Sequence, residues 1–124
     1  MPVAAVWCEE GIFRAILEFP QSYPLAPPTL KFITEMWHPN IYSDGKVCIS
    51  ILHSPGEDPL GYEQAAERWS PAQSVEKIML SVISLLYTPD ASSPANVDAA
   101  LELRNDSKKY FKKVRRLARR TAPS

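Results

Sequence analysis

Residues 38–48 read HPNIYSDGKVC, a stretch that places an imidazole, a primary amide, a tight turn and a thiol within eleven residues. A thiolate is a strong nucleophile near neutral pH, and acyl transfer through it requires a donor that holds the oxyanion. Asn40 can supply such an N–H donor. Asp44 and Gly45 favour a hairpin turn that brings Asn40 back beside Cys48. The stretch therefore predicts a nucleophilic cysteine next to a side-chain amide.

The thiol of Cys48 has two other interpretations. It can be a small, buried and inert hydrophobe, which is the commonest state of a lone cysteine. It can also be the nucleophile of a papain-like thiol hydrolase, in which His38 is the base and Asn40 orients that base. The hydrolase is disfavoured because Cys48 is predicted on or beside a short strand. The familiar thiol proteases place the cysteine at a helix N-terminus, where the helix dipole lowers the thiol pKa.

The composition of the 124 residues is that of one globular domain, with 45% hydrophobic and 23% charged residues. No apolar run reaches the roughly 18 residues that predict a membrane span, and the first residues lack the pattern of a secretory signal. The two cysteines have no C-x-x-C spacing. We therefore expect no disulfide framework, no metal and no cofactor. A reducing cytosol or nucleus is the expected compartment, and there the thiol of Cys48 would stay available.

The net charge is zero, but the charges are unevenly distributed. Eight of the fourteen Lys and Arg residues lie between Lys108 and Arg120. Apolar residues recur through this segment at helical spacing, which predicts an amphipathic helix with a solvated basic face. Nucleic-acid binding is the alternative, and an acidic partner protein is favoured over it. Acidic residues are instead concentrated in one loop after the cysteine, at Glu57, Asp58, Glu63 and Glu67.

Two strands are predicted ahead of the cysteine. Apolar residues alternate with charged residues between positions 11 and 19, which predicts the first of them. Four prolines within residues 20–28 remove donors and fix φ, so this segment is predicted to be a stiff loop. Residues 29–33 predict the second strand, with Leu30 and Phe32 on one face.

Helices are predicted after the acidic loop. The first begins between Ser70 and Ser74, either of which can cap it, and it ends before the next proline. Its apolar stripe predicts packing in the core rather than a ligand-binding face. Helical periodicity resumes near Val97 and continues to Arg120, with a break around Asn105.

The order of these motifs resembles the ubiquitin-conjugating enzyme (UBC core) family from about Gly11 to Arg120. The resemblance is carried by the Tyr-Pro-x-x-Pro-Pro loop at 23–28, by His-Pro-Asn and the cysteine, and by Trp-Ser-Pro-Ala at 69–72. The insert between the cysteine and this last motif resembles the G2-type subgroup, which carries a long acidic loop beside the active site. The resemblance implies an α+β fold, in which an antiparallel β-meander packs against helices in a single domain over 1–124.

The resemblance also implies roles for individual residues. Cys48 would accept the ubiquitin C-terminus as a thioester, and Asn40 would donate to the oxyanion or hold the neighbouring loop. His38 and Pro39 would be structural, and Asp106 would match the acidic gate that orients or deprotonates the incoming lysine. The implied partners are ubiquitin, the ubiquitin-activating enzyme and a RING-type ligase. The expected ligase surface consists of Tyr23, Pro24, Leu25, Ser70, Pro71 and Ala72.

The sequence departs from the family at its front. The family begins with an amphipathic helix and a first strand, and we expect neither before Gly11. This expectation implies an open sheet edge near Ile12, Phe13 and Ile16 and a reduced activity. The alternative function is therefore a catalytically impaired isoform or fragment that binds ubiquitin or a ligase. The G2-type resemblance further implies a cytoplasmic protein that partners bring to the endoplasmic reticulum surface. There it would act in endoplasmic-reticulum-associated degradation.

Overall fold

The computed structural model describes residues 2–4, 11–54, 68–90 and 94–121 of the chain. Its strands lie in the first third of the sequence and its α-helices in the second half, so the fold is α+β, as predicted. A short 3-10 turn separates the two halves. In chain order the elements are β1 (Pro2–Ala4), β2 (Ile12–Glu18), β3 (Thr29–Phe32), the 3-10 turn (Ser50–Leu52), α1 (Val75–Tyr87), α2 (Val97–Asn105) and α3 (Ser107–Arg119).

The strands form an antiparallel sheet in the order β1-β2-β3. In β2 the residues Phe13 and Ala15 are buried, whereas Ile12 and Ile16 on the opposite face are 40% and 46% exposed. This alternation follows from the two-residue period of a strand. Both predicted strands are confirmed to within two residues at either end, and β3 buries Leu30 and Phe32 on one face, as expected.

The prediction that no strand precedes Gly11 is wrong. Residues 2–4 pair antiparallel with β2, with Val3 opposite Phe13. Ile12 and Phe13 are also wrongly placed at an open edge, because β1 pairs with them there, Ala4 opposite Ile12 and Val3 opposite Phe13. A pairing of three residues gives no periodicity that sequence inspection could detect. The lack of the family's first helix stays a prediction.

Helix α1 begins at Val75 because the Ser74 hydroxyl accepts a hydrogen bond from the Lys77 N–H, at 3.1 Å. Ser74 is therefore the cap, while Ser70 lies in a preceding turn and accepts the Gln73 N–H through its carbonyl oxygen. The helix ends at Tyr87, ahead of the next proline, as predicted. It buries one apolar stripe, consisting of Ile78, Val82, Leu85 and Leu86.

Helices α2 and α3 are separated at Asp106, close to the predicted break. The backbone N–H of Asp106 donates to Glu102 and ends α2, while its carboxylate accepts the Lys109 N–H and begins α3. The basic face of α3 is exposed and its apolar face is buried, as an amphipathic helix requires. No helix in the described part of the chain combines the length and the apolar character needed to cross a membrane.

Two clusters of buried side chains hold the hairpin that carries the cysteine. The larger joins the inner face of the sheet to α1 and includes Ile41 and Val47 of the hairpin. The smaller lies between α2 and α3, and Trp37 packs against it. His38 is fully buried between these neighbours. The segment that precedes the cysteine is therefore held by core packing.

Candidate active site

Residues 40–48 form the predicted hairpin, with a tight turn at its tip. The Tyr42 N–H donates to Lys46 at 2.9 Å, and the Gly45 N–H donates to Tyr42 at 2.8 Å. Gly45 has φ = 99°, a conformation that L side chains rarely adopt. A Cβ there would overlap the Phe32 carbonyl oxygen of β3. At the base of the hairpin the Cys48 N–H donates to the Asn40 carbonyl oxygen at 2.8 Å, so these two residues are neighbours, as predicted.

His38 is engaged at both ring nitrogens. Nδ1 accepts the Asn40 N–H at 3.0 Å, which leaves Nε2 to donate to the Leu85 carbonyl oxygen at 2.9 Å. Burial lowers the pKa of His38 to about 4, against the smaller opposing effect of the Leu85 hydrogen bond. The ring is therefore neutral near pH 7, and each of its nitrogens is already paired with a backbone group. A thiol hydrolase with His38 as its base is excluded by this geometry.

The side-chain amide of Asn40 clamps the segment that follows α1. Its Oδ1 accepts the Asp90 N–H at 2.8 Å, and its Nδ2 donates to the Asp90 carbonyl oxygen at 2.7 Å. The adjacent Pro39 carbonyl accepts the N–H groups of Ala95 and Asn96 at 2.7 and 2.9 Å. Asn40 is only 2% exposed. Nδ2 carries two hydrogens, and the bond to Asp90 uses one of them.

Cys48 lies half-buried at the edge of a cleft of about 320 Å³. Its Sγ is 3.8 Å from Nε2 of His53. The sequence analysis considered only His38 as an imidazole partner and missed His53. The available signal was its position five residues after the cysteine. The cleft is lined mainly by the proline-rich loop, the hairpin and residues 52–54, namely Pro20, Ala26, Pro27, Pro28, Thr29, Leu30, Tyr42, Lys46, Val47, Cys48, Leu52, His53 and Ser54.

Asp106 is exposed at the junction of α2 and α3, and its carboxylate caps α3. It follows the nine residues of α2. The cap residue of that helix, Asn96, donates its N–H to the Pro39 carbonyl oxygen. At 1.5 Å per residue, Asp106 is about 15 Å along the helix axis from Asn96. The contacts of Asp106 thus show a helix cap. A role near the thiol stays a prediction.

The two loops of the expected ligase surface lie side by side. Trp69 is 1% exposed, and its Nε1 donates to the Pro24 carbonyl oxygen at 2.8 Å. Its ring lies 5.8 Å from the ring of Tyr23, centroid to centroid. Leu25, by contrast, is 73% exposed. Trp69 therefore joins the proline-rich loop to the Ser70–Pro71–Ala72 turn, and the sequence analysis did not assign it this role.

The acidic residues Glu57, Asp58, Glu63 and Glu67 lie outside the described residues. Within the part of the chain that the structure describes, no group of three or more His, Cys, Asp or Glu residues is placed to hold a metal ion.

Comparison with known proteins identifies the family. A family model described as ubiquitin-conjugating enzyme matches residues 2–118. Ubiquitin-conjugating enzyme E2 14 of Arabidopsis thaliana is 59% identical over 113 residues, and E2 G2 of Homo sapiens is 57% identical over the same length. E2 15 of Schizosaccharomyces pombe is 58% identical. Each match covers 91% of this chain and 68% of the relative. The chain therefore belongs to the ubiquitin-conjugating enzyme family.

Proposed function

We propose that this enzyme carries ubiquitin as a thioester on Cys48 and transfers it to a substrate lysine together with a RING-type ligase. The observation that supports this most directly is the hairpin geometry. The hairpin holds the half-buried thiol of Cys48 at a cleft. A backbone hydrogen bond joins Cys48 to Asn40. Family membership supplies the substrate class, because relatives more than half identical over 91% of the chain are named ubiquitin-conjugating enzymes.

The proposed reaction has two acyl transfers at the same sulfur. In charging, the Cys48 thiolate attacks the carbonyl carbon of the thioester that joins ubiquitin to the activating enzyme. A new C–S bond forms, the old C–S bond breaks, and the thiolate of the activating enzyme leaves. In discharge, a lysine amine attacks the same carbonyl carbon, a C–N bond forms, and Cys48 leaves as a thiolate. Both steps pass through an oxyanion that a nearby N–H donor stabilises.

Asn40 has two candidate roles in this scheme, and the structure shows the contacts of one of them. The clamp on Asp90 fixes the segment beside the site. The second Nδ2 hydrogen is the donor proposed for the oxyanion of the discharge step. Loss of one oxyanion donor typically lowers the rate by about 100- to 1000-fold. Loss of two hydrogen bonds lowers stability by about 2–3 kcal/mol.

The two roles are separated with Asn40→Ala, by measuring charging and discharge to free lysine in single-turnover assays. An osmolyte such as trimethylamine N-oxide restores the folded population, since it is excluded from the protein surface. Asn96→Ala is the matched control, because it removes an amide that caps α2 at the same joint, with Oδ1 3.0 Å from the Ala99 nitrogen. We expect Asn40→Ala to charge and then to discharge at least 100-fold more slowly, with or without osmolyte. Discharge at the parent rate in osmolyte would refute the oxyanion role.

The RING-type ligase is proposed to bind the surface formed by the two loops that Trp69 joins. An exposed leucine beside a stiff, proline-bearing turn provides an apolar anchor of the kind found at the centre of protein interfaces. Leu25 and Pro71 are both exposed there. We further propose, from the resemblance to the G2-type subgroup, that the enzyme acts at the cytoplasmic face of the endoplasmic reticulum in the degradation of proteins from that organelle. Co-fractionation with that membrane, lost in Leu25→Ala, tests both points.

A further inference from the structure

His53 is the titratable side chain at the cysteine to which neither the fold nor the proposed reaction assigns a role. His38, the other histidine of the chain, is fully buried and engaged by Asn40 and Leu85. His53 is half-buried and lines the same cleft as the thiol. Its Nε2 lies 3.8 Å from Sγ of Cys48, which is within hydrogen-bonding distance for sulfur.

The backbone of His53 is fixed at both of its polar groups. Its N–H donates to the Ser50 carbonyl oxygen at 2.9 Å and so closes the 3-10 turn. Its carbonyl oxygen accepts the N–H of Trp69 at 3.1 Å, and Trp69 is itself buried. The turn is anchored in the core by Ile51, which is 3% exposed. The imidazole is therefore carried on a supported backbone rather than on a freely moving loop.

We propose that His53 is a catalytic residue of the transfer reaction that stabilises the thiolate of Cys48. When Cys48 ionises, the thiol proton passes to Nε2, and the N–H formed there faces the thiolate. During discharge the C–S bond breaks, its electron pair returns to Sγ, and the same N–H stabilises the charge that develops there. The proton lost by the attacking amine passes to solvent. This inference rests on the proposed function, because it assigns a role in the chemistry of Cys48.

The other titratable side chains that line this cleft among the described residues are Tyr42 and Lys46. The ammonium group of Lys46 also favours a thiolate, because an opposite charge stabilises the ionised form. The phenol of Tyr42 is a weak donor. The experiment must therefore separate the effect of the imidazole from the effects of the ammonium group and the phenol. Lys46→Gln removes the first of these other groups, and Tyr42→Phe removes the second.

The test is the pH dependence of thiol–disulfide exchange at Cys48. The full chain in a Cys8→Ser background has a single thiol, and 4,4′-dithiodipyridine reports its reaction by absorbance. The parent, His53→Gln, Lys46→Gln and Tyr42→Phe are compared between pH 6 and 9.5. Glutamine keeps the size and polarity of the imidazole but does not titrate.

The expected result is that the profiles of exchange rate against pH cross for the parent and His53→Gln. If His53 raises the thiolate fraction tenfold at pH 7, the lower nucleophilicity of a stabilised thiolate offsets about threefold of that gain. His53→Gln should therefore react about threefold more slowly than the parent at pH 7. At pH 9.5, where both thiols are largely ionised, the variant should react about twofold to threefold faster than the parent, because its thiolate is the more nucleophilic. A merely structural histidine would not produce this crossing, and parallel profiles over the whole range would overturn the proposal.

Two further measurements keep the outcome decisive. If His53→Gln does not fold, the imidazole titration of His53 is followed by NMR in the Cys8→Ser protein and in its Cys48→Ala derivative. A midpoint that moves when the thiol is removed supports the pair, and an unchanged midpoint overturns it. Single-turnover charging with ubiquitin distinguishes the two levels of inference. Normal charging with parallel exchange profiles refutes the role of His53 alone, whereas absence of charging on Cys48 refutes the proposed function.

Discussion

Lowering the pH from 7.5 to 5 should destabilise this protein through the buried imidazole of His38. The side chain has no exposed surface, and burial lowers its pKa from 6.5 in the unfolded chain to about 4 in the folded state. The unfolded state therefore binds a proton more tightly between these values. Above pH 6.5, His38 does not lower the free energy of unfolding. Its effect lowers this free energy as the pH decreases from 6.5 and levels off below pH 4.

The size of the effect follows from the two pKa values. One pKa unit corresponds to about 1.4 kcal/mol, so the whole interval amounts to about 3 kcal/mol, and the part above pH 5 to about 2 kcal/mol. This is a large share of the 5–15 kcal/mol by which small domains are typically stable. The interval above pH 5 is the informative one, because most carboxylates titrate below it.

Urea unfolding followed by tryptophan fluorescence at pH 7.5, 6.5, 5.5 and 5.0 measures the effect. The free energy of unfolding should decrease as the pH is lowered. Below pH 6 its slope should approach the value for one more proton bound in the unfolded state than in the folded state. His38→Gln should flatten this slope. NMR should also show His38 as the neutral imidazole with hydrogen on Nε2 at pH 5.5. A His38 that titrates near pH 6.5, or a slope unchanged in His38→Gln, would refute the reasoning.

Two further predictions concern residues at the rim of the site. Asp106→Ser should keep the cap of α3 and the stability of the protein, while Asp106→Ala should lose about 1 kcal/mol in urea unfolding. If the carboxylate acts on the incoming lysine, both variants should discharge ubiquitin more slowly than the parent. Discharge by Asp106→Ser at the parent rate would show that the gate role is wrong. Leu25→Ala should weaken ligase-stimulated discharge by at least tenfold and leave unstimulated discharge unchanged. Ile33→Ala, which truncates a residue of similar exposure (62%) away from the two loops, serves as its control; equal effects of the two substitutions would contradict the assigned surface.

The parts of the fold that sequence inspection predicted correctly depend on local patterns. The alternation in β2 and β3, the Asp44–Gly45 turn and the apolar stripe of α1 each specify their own conformation within a few residues. The start of α1 was left open between Ser70 and Ser74, because both serines can cap a helix. The structure selects Ser74, since its hydroxyl reaches the Lys77 N–H while Ser70 closes the preceding turn.

The parts that were missed depend on contacts distant in sequence. The clamp between Asn40 and Asp90 spans 50 residues, and the bond from Trp69 to Pro24 spans 45. Neither has a local signal. Asp106 was assigned from the resemblance alone, whereas the structure shows its capping role at a helix junction. His53 was missed because the 3-10 turn that returns its ring toward the thiol has no periodicity to reveal it.

The most direct test of the central claim is charging of Cys48 with ubiquitin. The purified chain is incubated with ubiquitin, the activating enzyme and ATP, quenched without reductant, and analysed by intact mass before and after addition of thiol. The account predicts one adduct that thiol removes, that persists in Cys8→Ser, and that Cys48→Ser replaces with a thiol-resistant oxyester or no adduct. A thiol-sensitive adduct that persists in Cys48→Ser, or a parent chain that binds ubiquitin without forming any adduct, would contradict it.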